Sequence, residues 1–198
     1  MTAQGRLFYL MGASGSGKDT LLDASLARLQ ASPDWRPHLP RRVQRYITRP
    51  ADAGGEAHHA VSEDQFTSLV KEDRFCLLWQ AHGLSYGIDR EILDWLAAGD
   101  NVLVNGSRAY LPQASRLVPG LVAILIDVPA EVRERRLHDR ARESGDELDS
   151  RMQRAVELNT DDVPVHRINN DQALDQSVDD LCQLIVSLSK QKRAEKGK

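Results

Sequence analysis

The sequence predicts an α/β fold in which a parallel sheet is covered by helices on both faces. Three observations predict it. The short, wholly apolar runs Leu7–Met11, Val102–Val104 and Leu121–Ile126 read as strands buried on both sides. Helix-like stretches alternate with them, as parallel crossovers require. The first run also leads directly into Gly12-Ala13-Ser14-Gly15-Ser16-Gly17-Lys18-Asp19-Thr20, a G-x-x-x-x-G-K loop set between a strand and a helix. There the glycines let successive N–H groups point at phosphate oxygens. The helix N-terminus adds partial positive charge, and Lys18 supplies a point charge to the β- and γ-phosphates. Residues Gly12 to Thr20 are therefore the expected ATP site. Its eighth position is Asp19, where a Ser or Thr normally reaches magnesium.

The elements follow in order. Behind the loop, Leu22, Leu26 and Leu29 recur at helical spacing. Ser32-Pro33-Asp34, Pro37 and Pro40 break that helix, and Val43–Ile47 reads as a second strand. Thr48 to Glu56 is turn-rich. Ser62-Glu63-Asp64-Gln65-Phe66 is an N-cap with an acidic first turn, predicting a helix to about Glu72. Phe75–Gln80 is a strand, His82-Gly83-Leu84-Ser85-Tyr86-Gly87 a loop, and Arg90–Ala98 a helix ending at Gly99. Val102–Val104 ends in Asn105-Gly106-Ser107-Arg108, and a helix covers Leu111–Leu117. After Leu121–Ile126, Pro129 suits the first turn of a helix reaching about Arg140. A charged loop to Asp149, a helix to about Asn159 and a last strand, Val165–Ile168, follow. Leu174, Val178, Leu181, Ile185 and Leu188 form one apolar stripe on the final helix. Ligands of such a sheet sit beyond the C-terminal strand edges. The segment from about Thr48 to Ala98 is too long for a plain crossover and is expected to form a lobe over that edge.

At 198 residues, with 41% hydrophobic and 28% charged residues, the chain fits one domain with a substantial core. A formal net charge of -3 argues against nucleic acid as the main partner. Cys76 and Cys182 lie far apart without metal-ligand spacing, so a reduced, cytoplasmic setting is expected. No secretory signal and no stretch approaching the roughly 20 apolar residues of a bilayer span is present, so no membrane partner is expected. The oligomeric state is left open. The end, from Lys190 to Lys198, is either a frayed basic tail or an anion-binding one.

Four further features bear on the acceptor. Arg45-Tyr46-Ile47-Thr48-Arg49-Pro50 sets two guanidinium groups at a strand end, either gripping phosphate or lying on the surface. Tyr86 either donates its hydroxyl to a ligand oxygen or packs as an aromatic. Arg133, Arg136 and Arg140 share a helical face, with Arg142, Arg151 and Arg154 beyond. Glu131, Glu134, Asp139 and Glu143 make a salt-bridged, solvated face the alternative. Asn169-Asn170-Asp171 at a strand end either meets a base edge or turns the chain. His58 and His59 can contact a ligand oxygen but do not make a metal site.

Taken together and in this order, these features resemble the guanylate kinase family over nearly the whole chain. Thr48-Arg49-Pro50, Gly55-Glu56, Val61-Ser62, Phe75, Trp79, Tyr86-Gly87, Arg136-Leu137 with Arg140, Arg151 and Asn170-Asp171 carry the resemblance. It implies a P-loop kinase with a five-stranded parallel core over residues 5–47 and 100–190, an acceptor lobe at about 48–98 and a lid at about 138–150. It also implies that Arg136, Arg140 and Arg151 stabilise the transferring phosphoryl group and that Asn170 lies near adenine. The departures are specific. Where that family has an acid before the guanine-reading Trp, this chain has Leu78; Ile88 replaces a Ser or Thr. Asn105-Gly106-Ser107 replaces Asp-x-Asp, and Ala51-Asp52 replaces a second arginine. Each unpaired base-edge group costs about 1–3 kcal/mol, so guanine is not the expected acceptor.

Gly12-x-Ser14-Gly15-Ser16-Gly17-Lys18-Asp19, Arg45 to Pro50, Trp79…His82-Gly83-Leu84…Tyr86-Gly87 and Val104 to Arg108 look like the ribose 1,5-bisphosphate phosphokinases of bacterial phosphonate breakdown. That resemblance implies ATP and Mg2+ as cofactors and a sugar bisphosphate as the small-molecule partner, phosphorylated to 5-phosphoribosyl 1-diphosphate. On this reading Lys18 binds ATP, and Arg45, Arg49 and Tyr86 hold the acceptor. Asp19 takes magnesium directly or through water, its carboxylate offsetting the missing acid at Asn105, or else it favours the helix N-terminus electrostatically. Thr20 offers its hydroxyl to the α-phosphate. The alternatives are a guanylate-type nucleoside monophosphate kinase and a non-catalytic guanylate-kinase-like binding module.

Overall fold

The computed structural model describes residues 4–53, 56–139 and 163–194, with side chains placed to 136 and 191 in the last two segments. Arg140, Arg142, Arg151 and Arg154, the expected loop and helix between 140 and 159, and nearly all of the expected lid lie outside the described residues.

A five-stranded, all-parallel sheet forms the centre. Its strands are β1 (Leu7–Gly12), β2 (Arg41–Arg42), β7 (Val102–Asn105), β8 (Val122–Asp127) and β9 (Val165–Asn169), in the order β2-β7-β1-β8-β9. The alternation of β1 explains its wholly apolar sequence. Leu7, Tyr9 and Met11 enter one buried cluster, while Phe8 and Leu10 enter another on the opposite face. The second face is covered by α1 (Lys18–Ala31), through Leu21, Leu22 and Leu29, and by α6 (Leu174–Ala194), through Val178, Leu181, Cys182 and Ile185. The expected stripe on α6 is shorter at its start, because Leu174 is 43% exposed.

The first face packs against α3 (Glu91–Ala98), α4 (Leu111–Leu117) and a second sheet. That sheet contains β3 (Tyr46–Ile47), β4 (His59–Ala60), β5 (Phe75–Ala81) and β6 (Leu84–Asp89), in the order β4-β3-β6-β5. Helix α2 (Glu63–Lys71) begins at Ser62, whose side chain accepts from Gln65 N while the Gln65 side chain accepts from Ser62 N. Helix α5 (Ala130–Asp139) follows β8.

Two expectations are corrected. The second strand, read as Val43–Ile47, is instead two short strands in different sheets, one of which starts before Val43. Arg41–Arg42 pairs with β7 at the edge of the central sheet, and Tyr46–Ile47 pairs with β4 and β6. Ile47 is fully buried between the two, so its apolar character marks a crossing point rather than one strand. The loop read from His82 to Gly87 is a turn of only His82-Gly83, followed by β6. Both turn residues take positive φ, 54° and 70°, which suits the right-handed twist of a two-residue hairpin.

Candidate functional site

The glycine-rich loop leaves β1 at Gly12 and enters α1 at Lys18. Gly15 and Gly17 take φ of 79° and 73°, and Ser16 N donates to Ala13 O at 3.1 Å. Only glycine adopts those angles without strain. A Cβ on Gly17 would also come within 2.9 Å of Asn170 Nδ2. The loop lies at the C-terminal ends of the parallel strands. Asn170, just beyond β9, donates from Nδ2 to Ser16 O at 2.7 Å. Arg136 on α5 donates from Nη2 to Asn170 O at 2.9 Å and from Nη1 to Ser16 O at 3.4 Å. Arg136, expected at the transferring phosphoryl group, and Asn170, expected near adenine, both reach one carbonyl of the loop.

On the other side, Lys18 Nζ lies 3.2 Å from Asp19 Oδ1, and Asn105 Nδ2 donates to the same oxygen at 3.2 Å. Burial pushes the Asp19 carboxyl up. The Lys18 ammonium, the Asn105 amide and the Arg45 guanidinium outweigh it and hold the group below its ordinary value. Ser14 and Thr20 are exposed, whereas Ser16 is buried.

Asn105 also donates to Glu56 Oε2. Glu56 Oε1 accepts from Arg45 Nη2, and from Arg45 Nε at 2.7 Å. This pair is well shielded, with side chains 14% and 7% exposed. The Arg45 guanidinium lies over the Tyr86 ring at 4.9 Å and the Trp79 ring at 5.7 Å. Trp79 stacks on Tyr86 with a 2° interplanar angle and on Tyr110 at 26°. Arg45 and Tyr86, both expected to hold the acceptor, are brought into contact, and Tyr86 is also packed as an aromatic. Arg49 is set apart: its Nη2 lies 3.3 Å from His58 Nδ1. His58 in turn contacts Arg49 O at 3.1 Å and Glu56 O at 3.0 Å. Thr48 clips this segment to β6, its N donating to Ser85 O and its Oγ1 accepting from Ser85 N.

Sequence reading passed over Glu56 as a contact residue. Its signals were its place in the Gly55-Glu56 pair that carries the family resemblance and an acid set among arginines and histidines next to a turn. It also passed over Tyr110 as the third ring of the stack. Arg108, quoted only as part of a motif, is brought near Arg133; burial first, and that like charge second, push its pKa down, against Asp127.

These residues suit a magnesium nucleotide. Ser16 Oγ and Asn105 Oδ1 are buried without a hydrogen-bond partner, one in the loop and one beside Asp19. Among the described residues no cluster of three or more His, Cys, Asp or Glu forms a metal cage. A cation would therefore rely mainly on phosphate and water oxygens. No helix among the described residues is long and apolar enough to cross a membrane.

No family model matches the chain. It is 43% identical to the ribose 1,5-bisphosphate phosphokinase PhnN of Thiobacillus denitrificans, over 97% of this chain and 98% of the relative. It is 48% identical to the protein of that name from Pseudomonas fluorescens, over 82% of each. With that from Azotobacter vinelandii the identity is 44%, over 91% of this chain and 96% of the other. Among solved structures, a guanylate kinase from Anaplasma phagocytophilum superposes with a TM-score of 0.66 at 17% identity, covering 96% of this chain and 88% of that one. A gluconokinase from Sinorhizobium meliloti gives 0.53 at 17% identity, covering 98% and 99%. These two establish a P-loop kinase fold. The curated relatives establish more: by its identity to them from end to end, the chain belongs to the ribose 1,5-bisphosphate phosphokinase PhnN family.

Proposed function

We propose that the chain transfers the γ-phosphoryl group of ATP to ribose 1,5-bisphosphate, giving 5-phosphoribosyl 1-diphosphate and ADP in the cytoplasm during phosphonate breakdown. The observation that carries this reading is the end-to-end identity to relatives of that name. The site is consistent with it. Phosphate-gripping groups are present, Arg45 over its aromatic stack and Arg49 beside His58. The positions where a guanylate kinase reads its base offer nothing polar: Leu78 is exposed, and Ile88 is fully buried in the core.

An oxygen of the acceptor's 1-phosphate, already anionic near neutral pH, attacks the γ-phosphorus. The bond to the β–γ bridging oxygen breaks, and ADP leaves with that oxygen. No strong general base is needed, so catalysis rests on alignment and charge neutralisation. The backbone of residues 13–18 and the Lys18 ammonium hold the ATP phosphates. Asn170 and Arg136 brace that loop through Ser16 O, and Arg136, Arg140 and Arg151 take up transition-state charge. Arg45, Arg49 and Tyr86 hold the acceptor. Magnesium, when bound next to Asp19, supplies charge neutralisation on the β- and γ-phosphates.

A coupled assay of ADP release with ribose 1,5-bisphosphate or GMP as acceptor tests the reading. Turnover is expected with the sugar bisphosphate and not with GMP. Lys18→Ala should lower kcat by about 100-fold or more while leaving the fold intact, as checked by circular dichroism. Normal turnover in that variant would overturn the kinase reading, and preference for GMP would overturn the acceptor.

A further inference from the structure

Glu56 joins two sets of residues that the kinase reading assigns to different substrates. Oε1 is held by Arg45, the guanidinium laid over Tyr86 and Trp79 on the acceptor side. Oε2 is held by Asn105, which also contacts Asp19, itself in contact with Lys18 on the nucleotide side. The carboxylate is shielded from water, and its segment is tied to the second sheet through His58. Among the residues described around it, Arg45 is its direct cationic partner, while Asp19 lies one amide away.

We propose that Glu56 is the positioning residue that couples the two halves of the site, so that occupancy of the acceptor subsite tightens the hold on metal-bound nucleotide. The inference rests on the kinase reading. Without acceptor, Arg45 neutralises Glu56. An acceptor phosphate brings a second anion to the same guanidinium and weakens its compensation of Glu56. The carboxylate then adds to the negative potential around Asn105 and Asp19. That potential favours a divalent cation there and disfavours nucleotide without one. Coupling of this kind is reciprocal, so magnesium nucleotide tightens the acceptor by the same factor.

Titration calorimetry tests it with ADP, which forms a dead-end complex beside ribose 1,5-bisphosphate. In the native protein, saturating ribose 1,5-bisphosphate should lower the Kd of MgADP at least about fivefold. The Kd of ADP measured in EDTA should stay the same or rise. Glu56→Gln keeps the shape and removes the charge; its MgADP ratio should fall to about one while MgADP still binds. Asn105→Ala cuts the same link from the nucleotide side and should do likewise, which guards against one variant failing to fold. A native-sized ratio in either folded variant overturns the coupling, as does equal tightening of metal-free ADP. If the native protein neither binds MgADP nor transfers phosphate, the kinase reading itself falls. If it transfers normally and the ratio survives in the variants, only the coupling falls.

Discussion

Asp19 occupies a position where a hydroxyl is usual, and its surroundings account for a carboxylate there. It sits against Lys18 and Asn105, and these groups hold it ionised in spite of partial burial. Its folded pKa lies below the ordinary 3.8. The carboxylate's contribution to stability is therefore fully present above that value and is lost as pH falls through the folded pKa. Asp19→Asn should show a melting-temperature gap from the native protein that is flat from about pH 8 to about pH 5 and narrows below about pH 4. A gap already changing between about pH 7 and pH 6 would show that another group sets it.

At the scale of elements, the site depends on how β7 ends. Tyr9 on β1 is fully buried; burial drives its phenol well above the ordinary range, so the hydroxyl stays protonated. It donates to Ser107 O at 3.1 Å and accepts from Ser107 N at 2.8 Å, pinning the chain just past Asn105. Gly106 lies against the same ring, where an added Cβ would sit 2.1 Å from a ring carbon. Gly106→Ala should destabilise the protein by about 1–3 kcal/mol in denaturant titration, because a buried ring has to move. It should also lower kcat, because Asn105 moves with it. An unchanged midpoint would mean that Tyr9 shifts freely, contrary to its packing.

For the whole molecule, the central sheet separates two apolar clusters. One face is sealed by helices α1 and α6. The other continues into the second sheet, so Trp79 and Tyr86 stand on the same core as the strand that leads into the phosphate loop. Both thiols fit that packing. Burial pushes Cys76 and Cys182 up to about 11, leaving about one part in a thousand as thiolate at pH 8. Neither should react with a disulfide reagent at that pH until the protein is unfolded in guanidinium, when both should react. Rapid modification of the native protein would show that one thiol is open to solvent.

The amino-acid sequence by itself determined the parallel sheet, the phosphate loop and the capped start of α2. These are encoded locally: apolar runs, glycine spacing and N-cap residues act within a few positions of where they stand. It also carried the family resemblance, since whole motifs stand in order along the chain. The division of residues 41–47 between two sheets was not legible, because a short apolar run does not say which sheet it joins. Nor was the His82-Gly83 hairpin, whose positive φ at a histidine is tolerated only once β5 and β6 are paired. Only the tertiary structure decided the meeting of Arg45, Glu56, Asn105 and Asp19. Asn105 and Glu56 are 49 positions apart in sequence, and their contact forms only after the second sheet packs against the central sheet that contains β7. A buried carboxylate requires partners, and no local pattern names them.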